Sequence, residues 1–353
     1  MIIMPKTQYP IADLHCDLLC YLSLGHLRSP YDLPARCSIP QLREGNVKFQ
    51  MMAIFAETTP GSSKNGMAQA ETFKKILSSH SEVFELIRES SQFNTLQTSN
   101  KIGILPAIEN ASSFCEEEEP LKDGLHRFTT MQRKTGKCAY VSLTWNTENR
   151  FGGGALTSVG LKDDGKHLID YLSEHGIALD FSHASDRLAF DILNYLDQNN
   201  LQLPLIASHS NFRTITNVPR NLPTDLAKEV LKRRGVIGLN FIRPFVGHES
   251  ISNFSKQLEF SLQLGYPEGI CLGADFFYPD DVSMEHRKSP EQLFFPDFDQ
   301  AGAYVKVIDL WKKELTLSHE QLKNICYNNL INFLKVNLDL VRFSKTLNNH
   351  PTS

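Results

Sequence analysis

The 353-residue sequence has little of what marks secreted, membrane-spanning or disulfide-stabilised proteins. Its amino-terminal stretch MIIMPKTQYP has no apolar run long enough for a signal peptide, and no later run approaches the length of a membrane-spanning helix. The seven cysteines are odd in number, scattered and without a Cys-x-x-Cys pair, which argues against a disulfide framework. We therefore expect a soluble, cytoplasmic protein whose thiols are free.

Charge and glycine patterning argue against further classes of protein. The formal net charge is −4 at pH 7, so the composition does not favour nucleic acid or an anionic membrane as a partner. No glycine-rich dinucleotide fingerprint follows an early strand. The run Gly152-Gly153-Gly154 follows Asn149-Arg150-Phe151 and is interpreted as a flexible loop. We found no internal repeat.

Short apolar runs, rich in β-branched and aromatic residues, recur eight times and predict strands. Several are apolar on both faces, as in a parallel sheet covered by helices. The predicted strands are Ile11–Leu14, Val47–Phe55, Ile102–Ile108, Cys138–Leu143, Ile177–Phe181, Leu203–Ala207, Val236–Phe241 and Gly269–Gly273. Stretches of helical composition separate most of them, namely Ala68–Glu89, Gly160–Glu174, Ser185–Gln198, Leu226–Arg234 and Asn253–Leu264.

Strand and helix alternating eight times predict an α/β fold, the (β/α)8 TIM barrel. A doubly wound open sheet is the alternative, and it usually carries the dinucleotide fingerprint that is missing here. Two more helical segments, Asp299–Glu314 and Ser318–Asn337, follow the last predicted strand. We expect one catalytic domain over residues 1–340 and a polar tail over 341–353.

Polar residues follow several of the predicted strands where each strand ends. His15 and Asp17 are two residues apart, so they share one face of the first strand. Each such residue alone is more often a structural histidine or a helix-capping carboxylate. Together they predict a metal site, because the carboxyl ends of barrel strands meet at one face. The other members of this set are Glu109, His183, His209 and Asp275.

Three histidines and several carboxylates exceed what one tetrahedral metal ion uses. We therefore predict two metal ions, with a hydroxide between them and Glu109 as the bridging carboxylate. Glu109 is chosen because its strand would lie between the two groups of ligands. Asp275 is then available either for proton transfer or as a further ligand.

These residues lie in motifs that resemble the membrane (renal) dipeptidase family of zinc peptidases, peptidase family M19. The motifs run in the family's order from Ile11 to Asp275, and together they are specific. They are His15-x-Asp17, Glu109, Phe181-Ser182-His183-Ala184-Ser185, Ser208-His209-Ser210, Pro219-Arg220-Asn221-Leu222-Pro223 and Gly273-Ala274-Asp275-Phe276.

The resemblance implies an amidohydrolase-like barrel with two zinc ions (Zn2+). It assigns His15 and Asp17 to one ion and His183 and His209 to the other, with Glu109 between them. It further implies that Arg220 binds the free carboxylate of a dipeptide and that Asp275 is the catalytic acid and base.

The chain departs from the family after the fourth predicted strand. Animal members have a histidine there that helps to hold the scissile carbonyl, and Trp145 stands in its place. An indole N–H donates one hydrogen bond but cannot act as a cation or a metal ligand. Asn146 or Asn149 is a candidate for the missing polar contact to substrate.

The leading hypothesis is a zinc metallo-dipeptidase that hydrolyses small dipeptides, with Asp275 and Glu109 as catalytic residues. One alternative is a related di-metal hydrolase acting on a cyclic or N-acylated amino acid, and another is a catalytically impaired binding barrel. Manganese, cobalt or iron could replace zinc in a site of this composition. A homodimer is an expectation that the resemblance alone supports.

Overall fold

The computed structural model describes residues 8–25, 27–284 and 287–337, so the predicted tail at 341–353 lies outside the described residues. Within them the chain forms nine strands, and each of the eight predicted runs contains or overlaps one. The strands are β1 Ile11–Cys16, β2 Val47–Phe55, β3 Phe84–Leu86, β4 Ile102–Glu109, β5 Tyr140–Ser142, β6 Ala178–Asp180, β7 Leu205–Ala207, β8 Val236–Leu239 and β9 Ile270–Leu272.

The strands form a single sheet in the order β2-β1-β9-β8-β7-β6-β5-β4-β3, and β2 also pairs with β4. Eight strands therefore make a closed parallel barrel, and β3 extends the sheet beyond β4. The fold is a (β/α)8 TIM barrel, as the alternation of strands and helices predicted. β1 is buried at all six positions, which agrees with a strand covered on both faces.

One predicted helix is wrong at its carboxyl end. Helix α3, Ser62–Ser79, ends ten residues before the predicted Glu89, and β3 occupies Phe84–Leu86. Phe84 pairs with Ile102 and Leu86 pairs with Ile104, and the side chains of Phe84 and Leu86 are buried. Pairing with β4 thus overrides the helical composition of this stretch.

The helices follow the predicted segments with shifted ends. Gly176 and Gly265 take positive φ angles of 58° and 88° just after the helices that end at His175 and Gln263, as expected for glycines that end helices. The helices are α1 Leu18–Ser23, α2 Ile39–Glu44, α3, α4 Leu121–Thr135, α5 Asp163–His175, α6 Asp186–Gln198, α7 Thr224–Lys232, α8 Arg243–Val246, α9 Asn253–Gln263, α10 Pro290–Leu293, α11 Tyr304–Glu314, α12 His319–Lys323 and α13 Asn329–Asn337.

The chain divides into two compact units. Unit 1 comprises Met1–Ala53 and Ala207–Ile331, and unit 2 comprises Ile54–Ile206 and Asn332–Ser353. The division of the sequence into one domain and a tail stays a prediction. Among the described residues, no helix has both the length and the apolar composition that crossing a bilayer requires.

Close backbone contacts in unit 1 require glycine at two strand positions. A Cβ atom on Gly238 would lie 2.2 Å from the carbonyl oxygen of Ser208, and one on Gly273 would lie 1.9 Å from the same oxygen. Both distances are far below van der Waals contact, so only glycine fits. These contacts bring the ends of β7, β8 and β9 together next to the residues described below.

Candidate metal centre

Short side-chain hydrogen bonds shape the backbone near the ends of several strands. Asp13 accepts a hydrogen bond from the backbone N–H of His15 at 2.9 Å, and Asp180 accepts one from Ser182 at 2.9 Å. Asn240 accepts one from Ile242 at 2.6 Å. In each case the side chain bonds the N–H two residues on, which is the Asx-turn arrangement. The backbone therefore turns close to the residues that carry the predicted site.

In unit 1, four predicted site residues come together at the ends of β1, β7 and β9. We call His15, Asp17, His209 and Asp275 the unit 1 cluster. Ligand atoms of His15, His209 and Asp275 lie within 4.8 Å of one another. His15 Nε2 is 3.7 Å from Asp17 Oδ2 and 3.8 Å from Asp275 Oδ1. The ring centroids of His15 and His209 are 3.8 Å apart, and both residues are 0% exposed.

Asp13 supports the unit 1 cluster from within β1. Besides the N–H of His15, it accepts hydrogen bonds from the N–H of Ala274 at 2.8 Å and from Gln50 Nε2 at 2.9 Å. Burial raises the pKa of Asp13, and these hydrogen bonds act in the opposite direction. Asp13 thus fixes the backbone beside two members of the cluster, His15 and Asp275.

The contacts of His209 fix both its ring and its backbone. Ser208 Oγ lies 2.7 Å from Nδ1 of His209, so Nε2 is the nitrogen that could bind a metal ion. Its carbonyl oxygen accepts hydrogen bonds from Arg220 Nη2 and from Asn240 Nδ2, each at 3.2 Å. Arg220 is buried, also donates to Ser210 Oγ at 3.3 Å, and so presents a fixed cation next to His209.

Asp275 has an unusual backbone conformation and a firmly placed carboxylate. Its φ angle is 65°, in the left-handed region that a residue with a side chain rarely adopts. Asn240 Nδ2 donates to Asp275 Oδ2 at 3.0 Å, while Oδ1 is the oxygen nearer to His15. The side chain is 12% exposed. Burial and this hydrogen bond hold the carboxylate in one orientation.

In unit 2, Glu109 and His183 form what we call the unit 2 pair. Glu109 is the last residue of β4, and His183 lies three residues beyond β6 with a φ angle of 69°. His183 Nε2 is 2.9 Å from Glu109 Oε1. On the other side of the ring, Nδ1 lies 2.9 Å from Asn146 Oδ1. With its proton on Nδ1, the imidazole has the lone pair of Nε2 for a metal ion, which Glu109 could bind as well.

Trp145 and the two candidate asparagines have different surroundings. Trp145 packs against Phe55 with ring centroids 5.2 Å apart, lies 5.8 Å from the His183 ring and is 8% exposed. Asn149 donates to Asn110 Oδ1 at 3.0 Å and to the Leu143 carbonyl at 2.8 Å, so its amide is engaged within unit 2. Asn146 contacts a predicted ligand rather than standing apart from the site.

The chemistry of these side chains fits a divalent metal ion. The unit 1 cluster offers two imidazoles and two carboxylates, and the unit 2 pair offers one of each. Imidazole nitrogen with carboxylate oxygen suits Zn2+ and other first-row metal ions. The hydrogen bonds on Nδ1 of His209 and His183 are the outer contacts that metal-binding histidines make.

The family model of membrane dipeptidases, peptidase family M19, matches residues 5–335. The chain belongs to this family. Membership of the membrane dipeptidase family makes the protein a hydrolase of the metal-dependent dipeptidase class. One curated relative is an uncharacterised dipeptidase of Schizosaccharomyces pombe. It is 23% identical to this chain, and the match covers 95% of this chain and 82% of the relative.

Solved structures agree with the fold of this membrane dipeptidase family member. A metallopeptidase from Rhodobacter sphaeroides, crystallised with a phosphinate mimic of L-Ala-D-Ala, has a TM-score of 0.79 at 17% identity. The match covers 94% of this chain and 99% of that one. An amidohydrolase from Pseudomonas aeruginosa has a TM-score of 0.73 at 15% identity, over 93% and 96% of the two chains. At these identities the likeness concerns the fold alone.

Sequence reasoning missed Asn240, Asp13 and Ser208, which position the predicted site residues of this M19 family member. Asn240 follows β8 directly, but it lies inside the predicted run Val236–Phe241, so the sequence does not mark it as a strand-end residue. Asp13 was hidden within an otherwise apolar strand. Ser208 was only part of a motif, and its contact with the neighbouring imidazole depends on the side-chain rotamer.

Proposed function

We propose that the protein is a zinc dipeptidase that uses two metal ions to hydrolyse small dipeptides with a free carboxyl terminus. The observation that carries this proposal is the unit 1 cluster, in which ligand atoms of His15, His209 and Asp275 lie within 4.8 Å of one another in a member of the M19 family. Ligands of this kind on buried strand ends fit a metallopeptidase better than a structural role.

The proposed ligand set is the one that the family resemblance implies. His15 and Asp17 are assigned to one ion, and His183 and His209 to the other. Glu109 would supply the carboxylate that serves both ions. The strand positions support this assignment, because the carboxyl ends of the strands carry the active site in essentially every characterised barrel of this type. Bound zinc would lower the pKa of a coordinated water and polarise the scissile carbonyl.

Asp275 carries the proton in the proposed reaction. Its carboxylate accepts a proton from the water whose oxygen attacks the peptide carbonyl carbon, and the same proton then passes to the leaving amine as the C–N bond breaks. Water is thereby divided between the two products, with OH on the new carboxyl group and H on the amine. Burial of Asp275 and its hydrogen bond to Asn240 support this role.

Arg220 is proposed to bind the free carboxylate of the substrate. A planar guanidinium suits a bidentate contact with a carboxylate. Its hydrogen bond to the carbonyl of His209 ties this cation to a proposed metal ligand. The distance from the substrate's carboxyl terminus to the scissile bond would then be constant, which favours dipeptides over longer chains.

Trp145 is proposed to form an apolar wall with Phe55 for a substrate side chain. The two rings are in contact in unit 2, and Trp145 also approaches the ring of His183. The carbonyl contact that the family histidine provides would then be weaker here. We expect this change to alter substrate preference rather than to abolish turnover.

The test is turnover of a dipeptide panel by metal-stripped protein, with zinc added back. The panel covers L-L, L-D and D-D pairs, together with N-acylated and cyclic amino acids. Manganese, cobalt and iron replace zinc in parallel samples. We expect zinc-dependent release of free amino acids from at least one dipeptide. Zinc binding without cleavage of any dipeptide would contradict the proposal, and cleavage confined to the N-acylated or cyclic substrates would favour a different amide hydrolase.

A further inference from the structure

We infer that Asn240 is a positioning residue that holds Asp275 Oδ2 and thereby makes Oδ1 the oxygen that exchanges the proton. The assignment rests on the proposed function. It concerns a residue that is neither a metal ligand nor an acid or base. Asn240 lies directly after β8 and is 1% exposed, and the partners of its hydrogen bonds described below belong to unit 1.

The orientation of the Asn240 carboxamide follows from its partners. Its Oδ1 accepts the backbone N–H of Ile242 at 2.6 Å, and a backbone N–H can only donate. The amino group must therefore be the end that faces Asp275 Oδ2 at 3.0 Å and the His209 carbonyl at 3.2 Å. Both of these partners are acceptors, so the two N–H groups are matched.

The backbone of Asn240 is fixed as firmly as its side chain. Its N–H donates to Asn211 Oδ1 at 3.2 Å, and its carbonyl accepts from Asn211 Nδ2 at 2.9 Å. These two hydrogen bonds to Asn211 leave Asn240 little freedom to turn. The amino group of Asn240 is therefore presented to Asp275 at a constant place, without the cost of ordering it during the reaction.

Holding Oδ2 distinguishes the two oxygens of Asp275. Oδ2 is bound to a neutral donor that cannot act as an acid in water, whereas Oδ1 is the oxygen 3.8 Å from His15 Nε2. The proton therefore arrives at and leaves from Oδ1. Asp275 has a positive φ angle, and Asn240 holds its carboxylate by a hydrogen bond to Oδ2.

The experiment compares Asn240→Asp with a matched control, Asn329→Asp, in metal-loaded protein. Asn240→Asp keeps the acceptor for Ile242 and removes the donor to Asp275. Asn329 is also a buried asparagine of unit 1, and its amino group donates to the carbonyls of Pro267 at 2.8 Å and Ile270 at 2.7 Å. Its substitution therefore costs two hydrogen bonds and a buried carboxamide without touching Asp275.

We expect kcat of Asn240→Asp to fall about 100-fold, because a misplaced reacting group costs rates of this order. KM and the zinc content per chain should stay near their wild-type values, whereas a merely structural defect would lower the zinc content and the melting temperature together with kcat. The control should lose melting temperature but keep most of its kcat. Asn240→Ala, which removes the donor without adding a charge, serves as the second variant.

A crystal structure of Asn240→Asp provides a readout that does not depend on turnover. We expect the Asp275 carboxylate to rotate away from its wild-type orientation while the zinc ligands stay in place. If the wild-type protein cleaves no dipeptide, the proposed function fails, and this rotation alone decides the role of Asn240. An unmoved carboxylate, or a loss of kcat equal to that of Asn329→Asp, would overturn the inference.

Discussion

Two carboxamides, Asn240 in unit 1 and Asn146 in unit 2, support the predicted site with opposite polarity. Asn240 donates its N–H to the carboxylate of Asp275, whereas Asn146 offers its oxygen to Nδ1 of His183. In the proposed reaction, a donor steadies the carboxylate that shuttles the proton. An imidazole that must present Nε2 to a metal is steadied by an acceptor. The same side chain thus serves two chemical needs, depending on which end it presents.

The two regions also share a backbone feature. Asp275 and His183 have φ angles of 65° and 69°, so each region places one functional side chain on a residue in the left-handed conformation. Such conformations cost energy and persist where the surrounding contacts enforce them. Asn240 and Asn146 are among those contacts, one in each unit.

The largest expected effect separates the roles of Asp275 and His183. Asp275→Asn should lower kcat by a thousandfold or more, on the order of the full contribution of a general acid and base. The variant should retain its zinc, because Asp275 is proposed to transfer a proton and not to bind a metal ion. His183→Ala should lose activity together with zinc. Zinc content is measured by mass spectrometry on dialysed protein, and loss of zinc from Asp275→Asn would make this residue a ligand instead.

The next largest effect exploits the opposite polarity of the two carboxamides. Asn146→Asp keeps an acceptor for the His183 ring, so we expect zinc affinity to be retained. The same substitution at Asn240 should also keep zinc but lower kcat, because it removes the donor to Asp275. Asn146→Leu removes the acceptor and should weaken zinc binding by about 10- to 100-fold. Competition with a chelator measures both affinities. Equal zinc affinities of Asn146→Asp and Asn146→Leu would mean that the acceptor does not matter.

A smaller effect is expected at Arg220, the residue of unit 1 that is proposed to bind the carboxylate of the substrate. Arg220→Ala should reduce kcat/KM for a dipeptide by about 10- to 100-fold, the range expected for a lost hydrogen bond to a charged group. The same dipeptide with a carboxyl-terminal amide should be cleaved poorly by both proteins and show little difference between them. Arg220→Lys is the matched control, since it keeps the charge and loses the planar fork. An equal loss on both substrates would point to a role in holding His209.

The smallest effect tests whether both units exclude water equally well from their interiors. Burial raises the pKa of Cys138 in unit 2 and of Cys326 in unit 1 to about 12. A thiol whose pKa is raised by folding ionises first in the unfolded state, so the free energy of unfolding should fall as the pH rises from the ordinary thiol value toward 12. Cys138→Ala and Cys326→Ala should each reduce this slope by a similar amount. A reduced slope in only one variant would show that the other thiol is already accessible.

The sequence alone allowed the barrel and the strand-end residues to be predicted, because both follow from local patterns. Short apolar runs such as Ile102–Ile108 identify buried strands, and histidines or carboxylates just after them are visible without a structure. β3 could not be predicted, since three residues adopt a strand only by pairing with β4. Asn240 was missed for a similar reason, because nothing but its neighbours in space distinguishes it from any other asparagine.

Glycine at 273 limits how this protein can be re-engineered or can diversify. A library that randomises the residues after β9 in search of new substrates should return glycine at this position in every folded variant, because the carbonyl of Ser208 occupies the space of any side chain. New specificity must then come from positions where a side chain already meets another side chain, such as the contact between Trp145 and Phe55. Position 273, two residues before Asp275, is closed to variation, whereas mutations can accumulate at Trp145 and Phe55.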